Sequence, residues 1–170
     1  MTLSVLENIK TPCIGVCSTG IGDSVCRGCK RFDYEVINWN SYTQTQKQAI
    51  DKRLAQLLTQ LVEQRLVIVD ENRLLGQIKH QQIRFQSYRP SACALFELLR
   101  AGASQIQDPS EFGFQRRWVY KDHSLPSIRE EIETEFYALS IAHFERFVLA
   151  NKSKARCISS DSSIDVMSSE

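Results

Sequence analysis

Cys13, Cys17, Cys26 and Cys29 stand in a C-x3-C-x8-C-x2-C pattern near the start of the chain, followed at once by Lys30 and Arg31. Four thiolates carried on two short arms form a complete ligand set for a tetrahedral metal or a small iron-sulfur cluster. A Cys-x2-Cys turn puts two sulfurs on one side of a tight loop, and Gly28 inside it lets backbone amides point at sulfur. The first arm is looser and carries Gly15. A four-thiolate zinc site and an oxidised two-iron cluster both carry a charge of about −2. Arg27, Lys30 and Arg31 would offset either, so charge does not separate the two metals. The same residues also admit a redox dithiol at Cys26 and Cys29, or four free thiols in a loop. The dithiol lacks the βαβ context in which such motifs work.

The composition narrows the setting. The chain has 170 residues, a net charge of +1, 42% hydrophobic and 24% charged residues. That describes a globular protein without general attraction to nucleic acid or anionic membranes. The first ten residues have no basic n-region and no sustained apolar run, and no stretch approaches the ~18 apolar residues of a membrane span. A cytoplasmic location is expected. Reducing compartments keep thiols free and favour metal or redox roles over disulfides. Cys93 reads as a small core residue and Cys157 as an exposed bystander. His80, His123 and His143 are dispersed, and four thiolates need no histidine. No Gly-x-Ser-x-Gly, phosphate-cradling glycine loop or His-Glu-x-x-His is present, so no catalytic set is assigned.

The elements that must hold the cysteines follow from periodicity and caps. Residues 11–31 are glycine-punctuated and poor in core formers, so a metal is expected to hold them. Asp33 can cap a short helix through Val36, Ile37 and Trp39. Thr43 and Gln46 form a capping box for a helix over 44–65 with Ile50, Leu54, Leu57, Leu58 and Leu61 on one face. Residues 66–69 read as a strand, 70–73 as a turn and 74–85 as the return strand of a hairpin. Ser91 caps a compact helix through Leu95, Phe96 and Leu99 that stops at Gly102. Residues 115–121 are a candidate strand. Ser127 and Glu130 make a capping box for a last helix to about 150, with Ile128, Ile132, Phe136, Leu139, Ile141, Phe144 and Val148 inward. Glutamates at 130, 131, 133 and 135 suit its N-terminal end and a solvated face. Residues 151–170 read as a disordered serine-rich tail. The expected class is α+β: a four-cysteine metal knuckle with its following helix (1–60), a small α+β domain with a β-hairpin and two further helices (61–150), and the tail.

At this point the residues carry a resemblance. Thr11-Pro-Cys-Ile-Gly-Val-Cys17, Cys26-Arg-Gly-Cys-Lys-Arg31, and Asp33-Tyr-Glu-Val-Ile-Asn-Trp39 with the helix after it resemble the small bacterial family called domain of unknown function 1289. Its members are often labelled predicted iron-sulfur proteins. The resemblance runs from about residue 11 to 58 and implies metal binding at Cys13, Cys17, Cys26 and Cys29, tilting the metal towards iron-sulfur. It implies no reaction. Lys30 stands where the family commonly has Gly, and Phe32 where it commonly has Thr; neither is a ligand.

Two acid-free stretches combine cations with rings. Arg84 and Arg89 accompany Phe85 and Tyr88, and Arg116, Arg117, Trp118 and Lys121 accompany Tyr120. A single-stranded nucleic-acid surface needs that mixture, and a strand with an aromatic core face and a basic solvated face has it too. The sequence therefore leads to a non-catalytic cytoplasmic metal-binding accessory or regulatory protein with a protein partner. Its rivals are an iron-sulfur redox or oxidant-sensing protein, with an exposed edge near Arg27 and Lys30, and a nucleic-acid-binding regulator.

Overall fold

The computed structural model describes residues 8–160, with side chains through residue 151. The fold is α+β and mostly helical, in the order α1 (Asp33–Ile37), α2 (Gln44–Arg65), β1 (Leu66–Ile68), α3 (Glu71–His80), α4 (Ser91–Gly102), β2 (Phe114–Arg116) and α5 (Leu125–Ser160).

The organising element is α2. Its capping box forms as the sequence predicts: the Gln46 amide donates to the Thr43 hydroxyl at 3.3 Å, and the Thr43 amide donates to Gln46 Oε1 at 2.9 Å. Ile50, Leu54, Leu57, Leu58 and Leu61 are buried along one face. Against that face pack α4 and α5. Ala92, Cys93, Ala94, Leu95, Phe96, Leu98 and Leu99 are all buried, which is the pattern of a helix surrounded by its neighbours. Ser91 is not its cap. The N-cap is Pro90, whose carbonyl accepts from the Cys93 amide at 2.9 Å. Likewise Asp33 lies inside α1, where Phe32 is the N-cap, and its carboxylate accepts from the Tyr34 amide.

The predicted hairpin does not form. Asp70 Oδ1 accepts from the Arg73 amide at 2.9 Å and caps α3. Leu74 and Ile78, four residues apart, are the buried pair of a helix rather than members of a strand. A short run with turn chemistry in front reads either way by periodicity, and the cap decides it. The partner of β1 is instead β2, antiparallel, with Leu66 opposite Arg116, Val67 opposite Gln115 and Ile68 opposite Phe114. Of the candidate strand at 115–121 only the start is extended, and Trp118–Tyr120 is a 3-10 turn.

The last helix begins at Leu125. The Ser127 amide donates to Ser124 Oγ at 3.2 Å, so the cap belongs to Ser124 and not to a Ser127–Glu130 box. Ile128, Ile132 and Phe136 enter the core. Beyond them α5 outruns the core: Leu139 and Phe147 are exposed, and Phe144 packs on the Phe32 ring, centroids 5.4 Å apart, and beside the Tyr34 ring. The helix continues to Ser160. The tail expected from residue 151 is therefore helical over 151–160, and its remainder lies outside the described residues.

Gly113 makes the crossing between β1, α3 and β2 possible. Its carbonyl accepts from the amides of Val69 and Asp70 at 2.9 and 3.0 Å. Its φ is +79°, and a Cβ there would lie 2.3 Å from the Asp70 carbonyl oxygen. Gly113→Ala combines left-handed strain with a backbone clash. It is expected to lower unfolding stability by about 3 kcal/mol or more, measured by urea denaturation followed by circular dichroism.

Candidate metal centre

The second cysteine arm is a closed backbone turn. The Cys26 amide donates to the Arg31 carbonyl and the Lys30 amide to the Cys26 carbonyl, both at 2.8 Å. A bridge between Val25 and Phe32 holds its two ends. Lys30 adopts φ +60°, a left-handed conformation that glycine takes without strain. Here a lysine accepts the strain, and its side chain is held firmly.

Lys30 is 1% exposed. Its ammonium donates to the Gly28 carbonyl at 3.2 Å, pairs with Glu133 of α5 and lies 5.3 Å from the centre of the Phe136 ring. Arg31, also buried, donates from Nε to Cys29 Sγ at 3.3 Å, with its guanidinium 4.7 Å over the Trp39 ring. The sequence offered Arg27, Lys30 and Arg31 as counter-charges, with an exposed edge near Arg27 and Lys30 in the redox reading. Lys30 and Arg31 are interior, and only Arg27 remains exposed, paired with Asp23 at 2.8 Å. Next to them, Glu35 accepts both nitrogens of Arg53 at 2.6 and 2.7 Å as well as the Phe32 amide. That bidentate pair fastens α1 to α2.

Cys26 and Cys29 are buried together on this turn. Burial pushes the Cys26 thiol up, but backbone hydrogen bonds from Cys29, Ser18 and Gly28 and the side chain of Cys29 outweigh it, bringing it down to about 7. Burial raises the Cys29 thiol against the opposing pull of Arg31. Cys13 and Cys17 are exposed. Cys13 Sγ accepts from the Gly15 amide at 3.4 Å, and Cys17 Sγ lies 3.0 Å from Thr19 Oγ1. Among the described residues no group of three or more His, Cys, Asp or Glu side chains converges closely enough to hold a metal ion. The structure thus brings together two of the four cysteines, Cys26 and Cys29, on one buried turn.

The other two cysteines flank an adjacent segment. The Cys26 thiol points to the Val16 carbonyl at 4.0 Å, and a Cβ on Gly28 would lie 2.8 Å from Ile14 Cγ1 and 3.1 Å from the Val16 carbonyl oxygen. Residues 14–16 therefore rest on the buried pair, and Cys13 and Cys17 are the two ends of that segment. Four thiols, none in a disulfide, with backbone amides aimed at one of them, fit soft-metal chemistry.

The basic and aromatic residues divide between two places. Arg89 is not a free contact: its guanidinium is paired with the buried Asp51. Arg84 is exposed on the loop before α4. On the other side, Arg117 donates to the Glu63 carbonyl and Arg116 is half-buried, while Trp118 stands 79% exposed with Lys121 Nζ 4.1 Å above its ring. Residues that sequence reasoning missed are Glu133, Glu35 and Arg53. Glu133 was assigned to helix capping, and no local spacing links it to Lys30 across the chain. Glu131 and Glu135 similarly serve Arg65, at 3.5 and 2.7 Å.

Residues 11–58 match the family described as a protein of unknown function, DUF1289. The N-terminal third carries the DUF1289 segment. No curated protein and no solved structure matches the chain. The DUF1289 segment holds all four cysteines together with Arg31, Glu35, Trp39 and Arg53, and ends inside α2. Glu133 and Phe136, which receive Lys30, lie outside it. A metal-free sample should show the Cys26 environment directly: the thiolate absorbance near 240 nm of wild type minus that of Cys26→Ser is expected to rise with a midpoint near pH 7. A midpoint at the ordinary cysteine value of about 8.5 would contradict the amide arrangement.

Proposed function

We propose that this protein is a non-catalytic metal-binding accessory or regulatory protein in which Cys13, Cys17, Cys26 and Cys29 hold an iron-sulfur cluster or a zinc ion. The observation that carries the reading is the buried Cys26 and Cys29 pair, supported by backbone amides, with a cysteine at each end of the segment resting on it. An iron-sulfur cluster supplies a one-electron couple when bound, and zinc a fixed cross-link. The chain's own part is to present two thiols in advance and to bring two more by a short movement of residues 13–17. Ile14, Val16 and Ile21 on and beside that arm are 47%, 76% and 86% exposed. A shift of the arm re-aims these apolar side chains, which links occupancy of the site to contact with a protein partner.

A redox or oxidant-sensing role is the second reading, favoured by the exposure of Cys13 and Cys17. An edge at Lys30 gives it no support, because that lysine is buried. A nucleic-acid role draws on Arg84, Arg116, Trp118 and Lys121, with Arg89 and Arg117 already engaged.

Metal analysis with an absorption spectrum, on protein purified without oxygen, is the test. Stoichiometric iron and sulfide, or one zinc per chain, is expected, and Cys26→Ser with Cys29→Ser is expected to abolish it. Unchanged metal content in that double variant would falsify the reading. Gly28→Ala, whose Cβ would drive Ile14 and Val16 away, is expected to weaken metal binding by about 10–100-fold, the range for loss of a supporting contact around a metal site.

A further inference from the structure

A cleft of about 880 Å³ opens between the 10–15 arm, α2, residues 84–89, α4 and α5. Its floor is apolar: Leu54, Leu58, Phe96 and Phe136 are core side chains that turn a face into it, and Phe85 adds a ring at the side. A volume of this size lies in the range of small-molecule sites, and an apolar floor with a few polar groups is their common make-up.

The charges on the walls are unevenly matched. Lys30 is paired with Glu133, Arg100 with Glu97, and Arg89 with Asp51. Lys10 and Arg84 also line the cleft and are exposed, and neither has a carboxylate partner among the described residues. Two uncompensated cations therefore face an apolar floor. The loop that carries Arg84 is fixed at both ends. At its start Gln82 takes φ +54° and the Ile83 amide returns to the Ile78 carbonyl at 3.0 Å, a helix-ending motif. At its far end the Arg89 and Asp51 pair pins it to α2.

An uncharged hydrophobe in this cleft would leave both cations without an anionic partner. A bare inorganic anion would make no contact with the apolar floor. One chemistry satisfies both halves. We infer that the cleft binds an amphipathic organic anion, its apolar body on Leu54, Leu58, Phe96 and Phe136 and its carboxylate or phosphate head at Arg84 and Lys10. The Arg84 fork suits either planar-faced or tetrahedral oxyanions. The cleft shares the 10–15 arm and the Gly28–Lys30 turn, including Cys13 and Cys29, with the metal reading, and goes beyond it in that Arg84 and the floor come from α2, α4, α5 and the 81–90 loop.

Calorimetric titration of the full-length protein with dodecanoate, dodecyl phosphate, dodecanol, dodecyltrimethylammonium and inorganic phosphate, each below its aggregation limit, tests it. One equivalent of an anionic chain is expected to bind at least tenfold tighter than dodecanol, with the tighter of the two anions identifying the head. Arg84→Gln and Lys10→Gln remove exposed side chains without ion-pair partners, so circular dichroism should be unchanged while Arg84→Gln cancels most of that tenfold preference. Equal binding of dodecanol or the cationic chain, equal binding of inorganic phosphate, several equivalents per chain, or full affinity in Arg84→Gln would each overturn the inference.

Discussion

The cysteine turn and the helical body meet at one buried ammonium. Lys30 closes the Cys26-to-Arg31 turn in a left-handed conformation, and its side chain passes into the interior to reach Gly28, Glu133 and the face of Phe136. A buried charge left without its partner destabilises by about 3–5 kcal/mol. Glu133 is 40% exposed on its side chain, so solvent screens part of this pair and its net contribution is smaller. Its directional effect is undiminished. The turn that presents Cys26 and Cys29 can sit only where α5 offers a carboxylate and a ring.

Around that anchor the short elements of the N-terminal segment are fastened by cations on rings and carboxylates rather than by a core of their own. Arg53 lies 3.9 Å over the Phe32 ring while its two nitrogens hold Glu35. Arg31 is stacked on Trp39 and donates to Cys29. Trp39 and Ile9 then join the main core. The segment borrows its stability from α2 and α5. The first arm rests on the turn through Ile14 and Val16, and its end is tied to the turn where the Arg27 amide donates to Ser18 Oγ at 2.9 Å.

What could be read in the sequence was what local chemistry decides. The limits of α2 follow from a capping box and an unbroken apolar stripe, and both appear in the chain. The four cysteines stand out by type and spacing, and the chain places two of them, Cys26 and Cys29, together on one buried turn. What could not be read depends on residues far apart. The pairing of β1 with β2 joins Leu66 to Arg116, and nothing near residue 70 signals it. Asp70 does signal a helix cap, and this competes with its reading as a turn. The burial of Lys30 needs Glu133, 103 positions away. The continuation of α5 to Ser160 overrides a composition that reads as tail, because the helix has already been nucleated by packing at Ile128 and Ile132.

The central claim is that the fold prepares the Cys26 and Cys29 half of the site in advance and leaves the Cys13 and Cys17 half to be recruited. Amide hydrogen exchange of the full-length protein, stripped with chelator and then reloaded with iron and sulfide or with zinc, measures this most directly. The account predicts slow exchange at the Cys26 and Lys30 amides in both states, with residues 13–17 fast when metal-free and slowed on loading. Equal, fast exchange across 13–17 and 26–30 in the metal-free protein would contradict it.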